Sequence, residues 1–510
     1  MEEFVFLPDR NSNPASSFQT LTTAMSGAAR LSVAPRADSP AATGFSGATL
    51  ELAERSVAEA TEAATEEAPL IEMIDFVQST GAVLLRSSDI PKSDQIEGGS
   101  LVPVYHYRPA IADVRVGRSK LKLHSGPAAT DFLKVNLRFS DDNTPVVGAV
   151  ANLRRVGEEE LNAVSDANGV VTFALRVPQV QNVRLIVEAG FAGHWGYIED
   201  GATLVNGGTI QIKRIDLSTT PDALRHLIAT GGPSDGAGVR VAVVDSGVGP
   251  HPALPNVVGD ADTSIGHGSH VAGIIGGHGQ DGLGGVAPGV EILSYRVFDD
   301  PQTGVARNFE IHRAIEQAII DECLIVNLSL KSEIPFAPAH DDPVISRALE
   351  DAADAGVLCV AAAGNDFRRF VAFPARHPDA VAVAALGWQP GLPPNALDNW
   401  TVSNDRSNID RDVYFATFSN EGVDNTQINL AGPGSGIIST VPGDTFAPMS
   451  GTSMACPAIV GVIARLVSAN PAILTMPGDR ARTDAMRALI RSSLQDAGFD
   501  AVKQGDGTLA

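Results

Sequence analysis

A chain of 510 residues is too long for one ordinary domain, and about two to four are expected. Hydrophobic residues make up 44% and charged residues 19%, a balance that excludes a disordered chain. The formal net charge of −23 argues against nucleic acid or an anionic membrane as a main partner, because both would repel the chain. Three cysteines, Cys323, Cys359 and Cys456, each lie in an apolar stretch; they cannot all pair within one chain and read as buried free thiols. The start, MEEFVFLPDR, places two acids before a short apolar run, unlike the basic start and longer apolar stretch of a secretory signal. The apolar run from Ala455 to Ala464 is too short to span a bilayer and stops at Arg465. A cytoplasmic location is therefore expected, with export by a route lacking a cleaved signal left open.

Three blocks follow one another. The first, residues 1–110, reads as an α+β region. It opens on a strand, EFVFLP, and crosses a Ser/Ala/Thr/Pro-rich stretch from Asn11 to about Gly47 that reads as a loose linker. Alternating Ala and Glu from Leu50 to Glu67 predict a solvated helix. Ile71, Ile74 and Val77, three apart, predict a second helix that Gly81 ends. The strands AVLLR and LVPVYHYRP complete the block.

The second block, residues 131–215, reads as a small β-sandwich. FLKVNLRF alternates apolar and polar residues, with Leu133, Val135, Leu137 and Phe139 on one side. TPVVGAVANL, SDANGVVTFAL, VRLIVEAG and TIQIKRI add four runs separated by turn signals. TPVVGAVANL and SDANGVVTFAL resemble immunoglobulin-like and carboxypeptidase-regulatory-like accessory modules. The third block, residues 219–500, alternates strands and helices. That pattern predicts a parallel α/β sheet covered by helices on both faces, with ligands at the carboxyl ends of its strands.

The candidate chemistry sits at those strand ends and helix starts. VRVAVVDSGV is an apolar strand ending in Asp245, whose carboxylate can accept a hydrogen bond from an imidazole. His267 lies in GHGSHVAGIIGG, a Gly-rich turn entering a helix. Ser453 lies in SGTSMACPAIVGVIARL, where a helix amino end offers N–H groups to a developing oxyanion. Asn365 ends VLCVAAAGN, and its amide is placed to supply a second donor. Taken singly, Asp245 reads better as a capped turn carboxylate and Ser453 as a helix cap; the ordered set reverses that. His270, three residues after His267, suggests a metal pair, but no third ligand stands at a suitable spacing. Cys456, three residues past Ser453, suggests a thiol enzyme but reads better as a small packed cysteine, because serine already stands at the candidate nucleophile position.

Together VAVVDSGV, GHGSHVAGIIGG, GLGGVAPGVEILSYRVF, VNLSL, VLCVAAAGND, FPARHPDAVAVAALG, FATFSNEG and SGTSMACP resemble, in order, the motifs of subtilisin-like serine proteases, the subtilase or peptidase S8 family. They span Gly238 to Leu466. The resemblance implies a subtilisin-like parallel sheet flanked by helices, and a serine endopeptidase that works through an acyl-enzyme. Ser453 would be the nucleophile, His267 the general base, and Asp245 the residue that orients His267. Asn365 and the Ser453 N–H would form the oxyanion hole, and His270 would be structural. Ser329, Leu330 and the residues up to Gly364 would pair with an extended substrate backbone. Lys331 departs from the glycine common there, which puts the shape of that edge in question. Arg368 or Arg369 would favour an acidic substrate side chain if it faced the first specificity pocket; otherwise both are solvated surface charges.

No cofactor is required, and a structural calcium ion stays open without being indicated by the sequence. The expected partners are protein or peptide substrates, and a dedicated partner protein held by the front domains. Those domains read either as a removable inhibitor or as a permanent docking domain. The rival functions are a non-enzymatic scaffold on a protease fold and a maturation protease or peptide ligase.

Overall fold

The computed structural model describes residues 2–9, 21, 30–33, 70–77, 79–80, 82–87, 99–111, 132–154, 160–177, 179–190, 193–218, 221–262, 265–279, 283–298, 304–333, 341–424 and 426–509. In the first unit, strands β1 (Glu2–Pro8), β2 (Arg30–Val33), β3 (Leu70–Phe76), β4 (Val83–Ser87) and β5 (Gly99–Pro103) form one sheet in the order β2-β3-β4-β1-β5. The helix predicted around Ile71, Ile74 and Val77 is thus a strand. Spacing by three suited a helix, but Ile71 and Met73 alternate inward while β3 pairs with β2 and β4. The register shifts between Met73 and Asp75; Phe76 is buried opposite Val83, and Val77 is buried in the cluster of Val5, Leu84 and Val102 on the other face. The described part of this unit is β-rich. Within the stretch read as a linker, Arg30–Val33 is a strand; the helix expected over Leu50–Glu67 lies outside the described residues. A short strand, β6 (His106–Pro109), leaves this sheet altogether.

The second unit has two sheets. β7 (Leu133–Phe139) lies between β10 (Val170–Phe173) and β13 (Gly208–Ile212), while β8 (Val150–Arg154), β9 (Leu161–Val164), β11 (Gln179–Val187) and β12 (Tyr197–Val205) pair in the order β12-β11-β8-β9. Leu137, Leu153, Phe173 and Leu185 belong to one shared apolar cluster. Trp195 instead packs into the core of the third unit, and the Leu397 N–H donates to the Gly196 carbonyl at 2.9 Å beside it.

The third unit carries the parallel sheet. It contains β14 (Arg240–Asp245), β15 (Val257–Gly259), β16 (Glu291–Arg296), β18 (Ile325–Leu328), β20 (Leu358–Ala362), β21 (Ala380–Trp388), β22 (Val413–Phe415) and β23 (Leu430–Pro433). Their order is β15-β16-β14-β18-β20-β21-β22, with β23 also on β21 and only β22 antiparallel. Helices α2 (His267–Gly276) and α5 (Thr452–Ser468) cover one face, with Val241 and Val243 beneath them; α1 (Ala223–Leu227) lies on the same side. Helices α3 (Asn308–Ile320) and α4 (Pro343–Asp354) cover the other, over Ala242 and Val244. Burial on both faces is why these strands read as unbroken apolar runs. Parallel order also brings the carboxyl ends of β14, β18 and β20 to a single edge. Two short strands, β17 (Ala306–Arg307) and β19 (Leu330–Ser332), flank β6 there. Among the described residues no helix is long and apolar enough to cross a membrane.

The first unit sits on α3 and α4, with Val5, Leu84 and Val102 against Phe309 and Val344. Arg313 pairs with Asp75 at 2.6 Å, and the Pro8 carbonyl accepts from Arg347 at 2.6 Å. Beneath this contact burial pushes the Glu316 carboxyl up to about 7 from an ordinary 4.5. Between those pH values the folded protein holds a proton that the unfolded chain has lost, so stability falls as pH rises through this window. Glu316→Gln keeps the neutral shape. Urea unfolding should find the variant gaining on wild type by about 3 kcal/mol between pH 4.5 and pH 8. A pH-independent difference would contradict the burial effect.

Candidate active site

Asp245 ends β14 with its carboxylate fully buried. The Ser246 N–H donates to it at 2.7 Å, and His267 Nδ1 stands 2.7 and 2.9 Å from its two oxygens. His267 opens α2 next to Gly268, where any side chain would collide with the Gly247 carbonyl; only glycine lets helix and turn approach so closely. With Nδ1–H held by the carboxylate, the neutral ring presents Nε2 as an acceptor. That Nε2 is buried and has no hydrogen-bond partner.

Ser453 is the second residue of α5, which packs against α2. Its Oγ donates to the Ser329 carbonyl at 2.9 Å rather than to His267, while Ser329 Oγ donates back to the Ser453 carbonyl at 2.9 Å. Asn365 is fixed from behind: its Oδ1 accepts from the Thr452 N–H at 3.0 Å and from Thr452 Oγ1 at 2.9 Å. The amide therefore faces outward and donates to the carbonyl of Ala110, to which the Ser453 N–H also donates at 3.2 Å.

Ala110 comes from the first unit. It follows β6, which lies antiparallel between β17 and β19 as an inserted strand. Pro109, Arg108 and Tyr107 lie opposite Leu330, Lys331 and Ser332, and the Ala110 N–H donates to the Ser329 carbonyl at 3.1 Å. The site thus holds a backbone carbonyl between two N–H donors, one of them from the hydroxyl-bearing Ser453. Beside it an oriented imidazole has an unused nitrogen. This set of groups suits acyl transfer at a carbonyl.

Asp245 and His267 meet directly; Ser453 and Asn365 meet through Ala110. Ser329 and Leu330 line the strand edge, whereas Gly364 acts through its backbone, its N–H donating to Thr452 Oγ1 at 3.1 Å. Lys331 leaves the edge intact, since it pairs in register and its ammonium bonds Asp366. Arg368 is neither a pocket residue nor a solvated charge: it pairs with Asp405 at 2.9 Å and Glu421 at 3.6 Å and lies over the Phe415 ring. His270 spends Nε2 on the Ile437 and Ala447 carbonyls, and burial lowers its pKa to about 3. Cys456 is buried, and burial pushes its thiol pKa upward, away from nucleophilic chemistry. Sequence reasoning missed Ala110 and Thr452. Strand propensity in LVPVYHYRP was visible, but nothing local names the partner of an inserted strand.

The model of the Subtilase family matches residues 236–508, more than half of the chain. M-protease of Shouchella clausii (strain KSM-K16) is 33% identical over 246 residues, covering 46% of this chain and 56% of that protein. Subtilisin BL of Lederbergia lenta is 32% identical over 246 residues, covering 46% of this chain and 78% of its own length. The chain thus spans little more than half of M-protease. The solved structure of the prenylagaramide maturation protease PagA is 25% identical, over 56% of this chain and 96% of that one, with a TM-score of 0.44.

Gly364 has φ +105°, and a methyl group there would meet Asn420 Nδ2 at 2.5 Å and the Ala372 methyl at 3.0 Å. Gly364→Ala should cost about 1–3 kcal/mol in urea unfolding and turn Asn365 out of line. An unchanged midpoint would contradict this placement.

Proposed function

We propose that this chain, which belongs to the subtilase family, is a serine endopeptidase whose first bound peptide is its own segment Tyr107–Ala110. The observation that carries the reading is the Ala110 carbonyl between the Ser453 N–H and the Asn365 amide. Those donors suit the charge that gathers on an attacked carbonyl oxygen. In the proposed step Ser453 Oγ leaves the Ser329 carbonyl, passes its proton to His267 Nε2 and bonds the Ala110 carbonyl carbon. The Ala110–Ile111 bond breaks, and the Ile111 nitrogen leaves with the proton from His267. Asp245 holds the ring and stabilises its charged form. Water, deprotonated by His267, then frees the Ala110 carboxylate and restores the Ser453 hydroxyl.

Strand addition supports a protein or peptide substrate, because main-chain bonds along β17 and β19 accept any extended backbone. The same contacts support the inhibitor reading of the first unit over a docking role remote from the cleft. While β6 stays in place, no other peptide can enter.

A fluorophosphonate probe should label wild type on Ser453 and leave Ser453→Ala unlabelled. Absence of labelling together with absence of peptide hydrolysis would defeat the proposal. Asn365→Ala should lower kcat about 10²- to 10³-fold with little change in KM, the loss known for one such donor in a subtilisin. A change confined to KM would contradict the oxyanion role.

A further inference from the structure

Counting back from the Ala110 carbonyl, Tyr107 is the fourth residue, and it is wholly buried although its backbone belongs to an inserted strand. Its ring joins the apolar cluster that includes Leu330, Ile345 and Phe373. At the end of this pocket its hydroxyl donates to Asp342 Oδ2 at 2.9 Å. Asp342 is itself fully buried, and it caps α4 by accepting from the Val344 N–H at 3.0 Å. Its other side-chain donor is Asn308 Nδ2 at 3.3 Å. Among the described residues no lysine or arginine pairs with it in an ion bridge.

A carboxyl at the floor of an apolar pocket is costly unless donors reach it. Burial pushes the Asp342 pKa up to about 6, so near neutral pH it is mainly an anion needing those donors. A tyrosine ring fills the apolar walls and brings one hydroxyl to the anion. A phenylalanine would fill the same walls, shut out water and leave the carboxylate short of a donor. An aliphatic side chain would do the same with a poorer fit. Neighbouring subsites carry less information. Arg108 points to a half-exposed pair with Glu333, and Ala110 presents only a methyl group.

We infer that Asp342 is a specificity-determining residue, and that the enzyme selects peptides with tyrosine four residues before the cleaved bond. This rests on the reading of Tyr107–Ala110 as a bound substrate segment. Sites built to bond a hydroxyl discriminate strongly against an analogue without it, because the site's own polar group is then left unpaired.

The test uses the full-length enzyme at pH 8 with two chromogenic peptides, acetyl-Tyr-Arg-Pro-Ala p-nitroanilide and its phenylalanine counterpart. The ratio of their kcat/KM values is unaffected by how much of the cleft β6 occupies, because a competitive occupant lowers both alike. Wild type should prefer tyrosine by about 10- to 100-fold. Asp342→Ser retains a helix-capping oxygen but withdraws the carboxylate from the phenol. It should bring the ratio close to one. Asp342→Asn, which keeps an acceptor, should retain part of the preference. A wild-type ratio near one overturns the inference without recourse to any variant, and so does an undiminished ratio in Asp342→Ser. If neither peptide is cut by an enzyme whose Ser453 reacts with the fluorophosphonate, the inference also fails. If Ser453 does not react at all, the failure belongs to the reading beneath it.

Discussion

The Ala110 carbonyl is held by two donors that arrive from distant parts of the chain, and the rest of the site is arranged around that meeting. One donor is the Ser453 N–H at the start of α5; the other is the Asn365 amide at the end of β20. They converge because Thr452, one residue before Ser453, occupies the Asn365 oxygen with both its N–H and its hydroxyl. A parallel sheet makes this economical. It brings the ends of β14, β18 and β20 to one edge, so short turns suffice to present Asp245, Ser329 and Asn365 together. The imidazole is placed by a further close approach, that of Gly268 to the turn after Asp245.

The first unit exploits the same edge. Its sheet rests on α3 and α4 through Val5, Leu84 and Val102, and its last strand then runs into the cleft between β17 and β19. Tethering makes this occupancy intramolecular, so a segment with modest intrinsic affinity competes well against free peptides. The proposed cut after Ala110 would sever that tether. The second unit follows Ile111 in the chain and is anchored by Trp195 in the core of the third. It would therefore stay with the catalytic unit while the first unit departs.

The sheet and its two faces were legible because burial on both sides leaves continuous apolar strands, and the polar residues at their ends and at the helix starts lie within two residues of a glycine. Asp245, His267, Ser453 and Asn365 stood at just such junctions. The first unit was harder to read. Ile71, Ile74 and Val77 fit a helical face as well as a strand with a bulge, and only the pairing partners β2 and β4 decide between them. Arg368 was misjudged because its counter-charges, Asp405 and Glu421, lie far along the chain. Occupation of the site by Ala110 was invisible for the same reason: strand addition is written in backbone geometry, and backbone is common to every residue.

The chemistry of the Ala110–Ile111 bond is the most direct point of test. Full-length wild type and Ser453→Ala would be purified in parallel, and intact mass and amino-terminal sequence measured for every fragment. Wild type should yield a chain beginning at Ile111 and a fragment ending at Ala110, while Ser453→Ala stays whole. A wild type that hydrolyses added peptides yet keeps this bond intact, or cuts itself elsewhere, would contradict the assignment of β6 as a substrate.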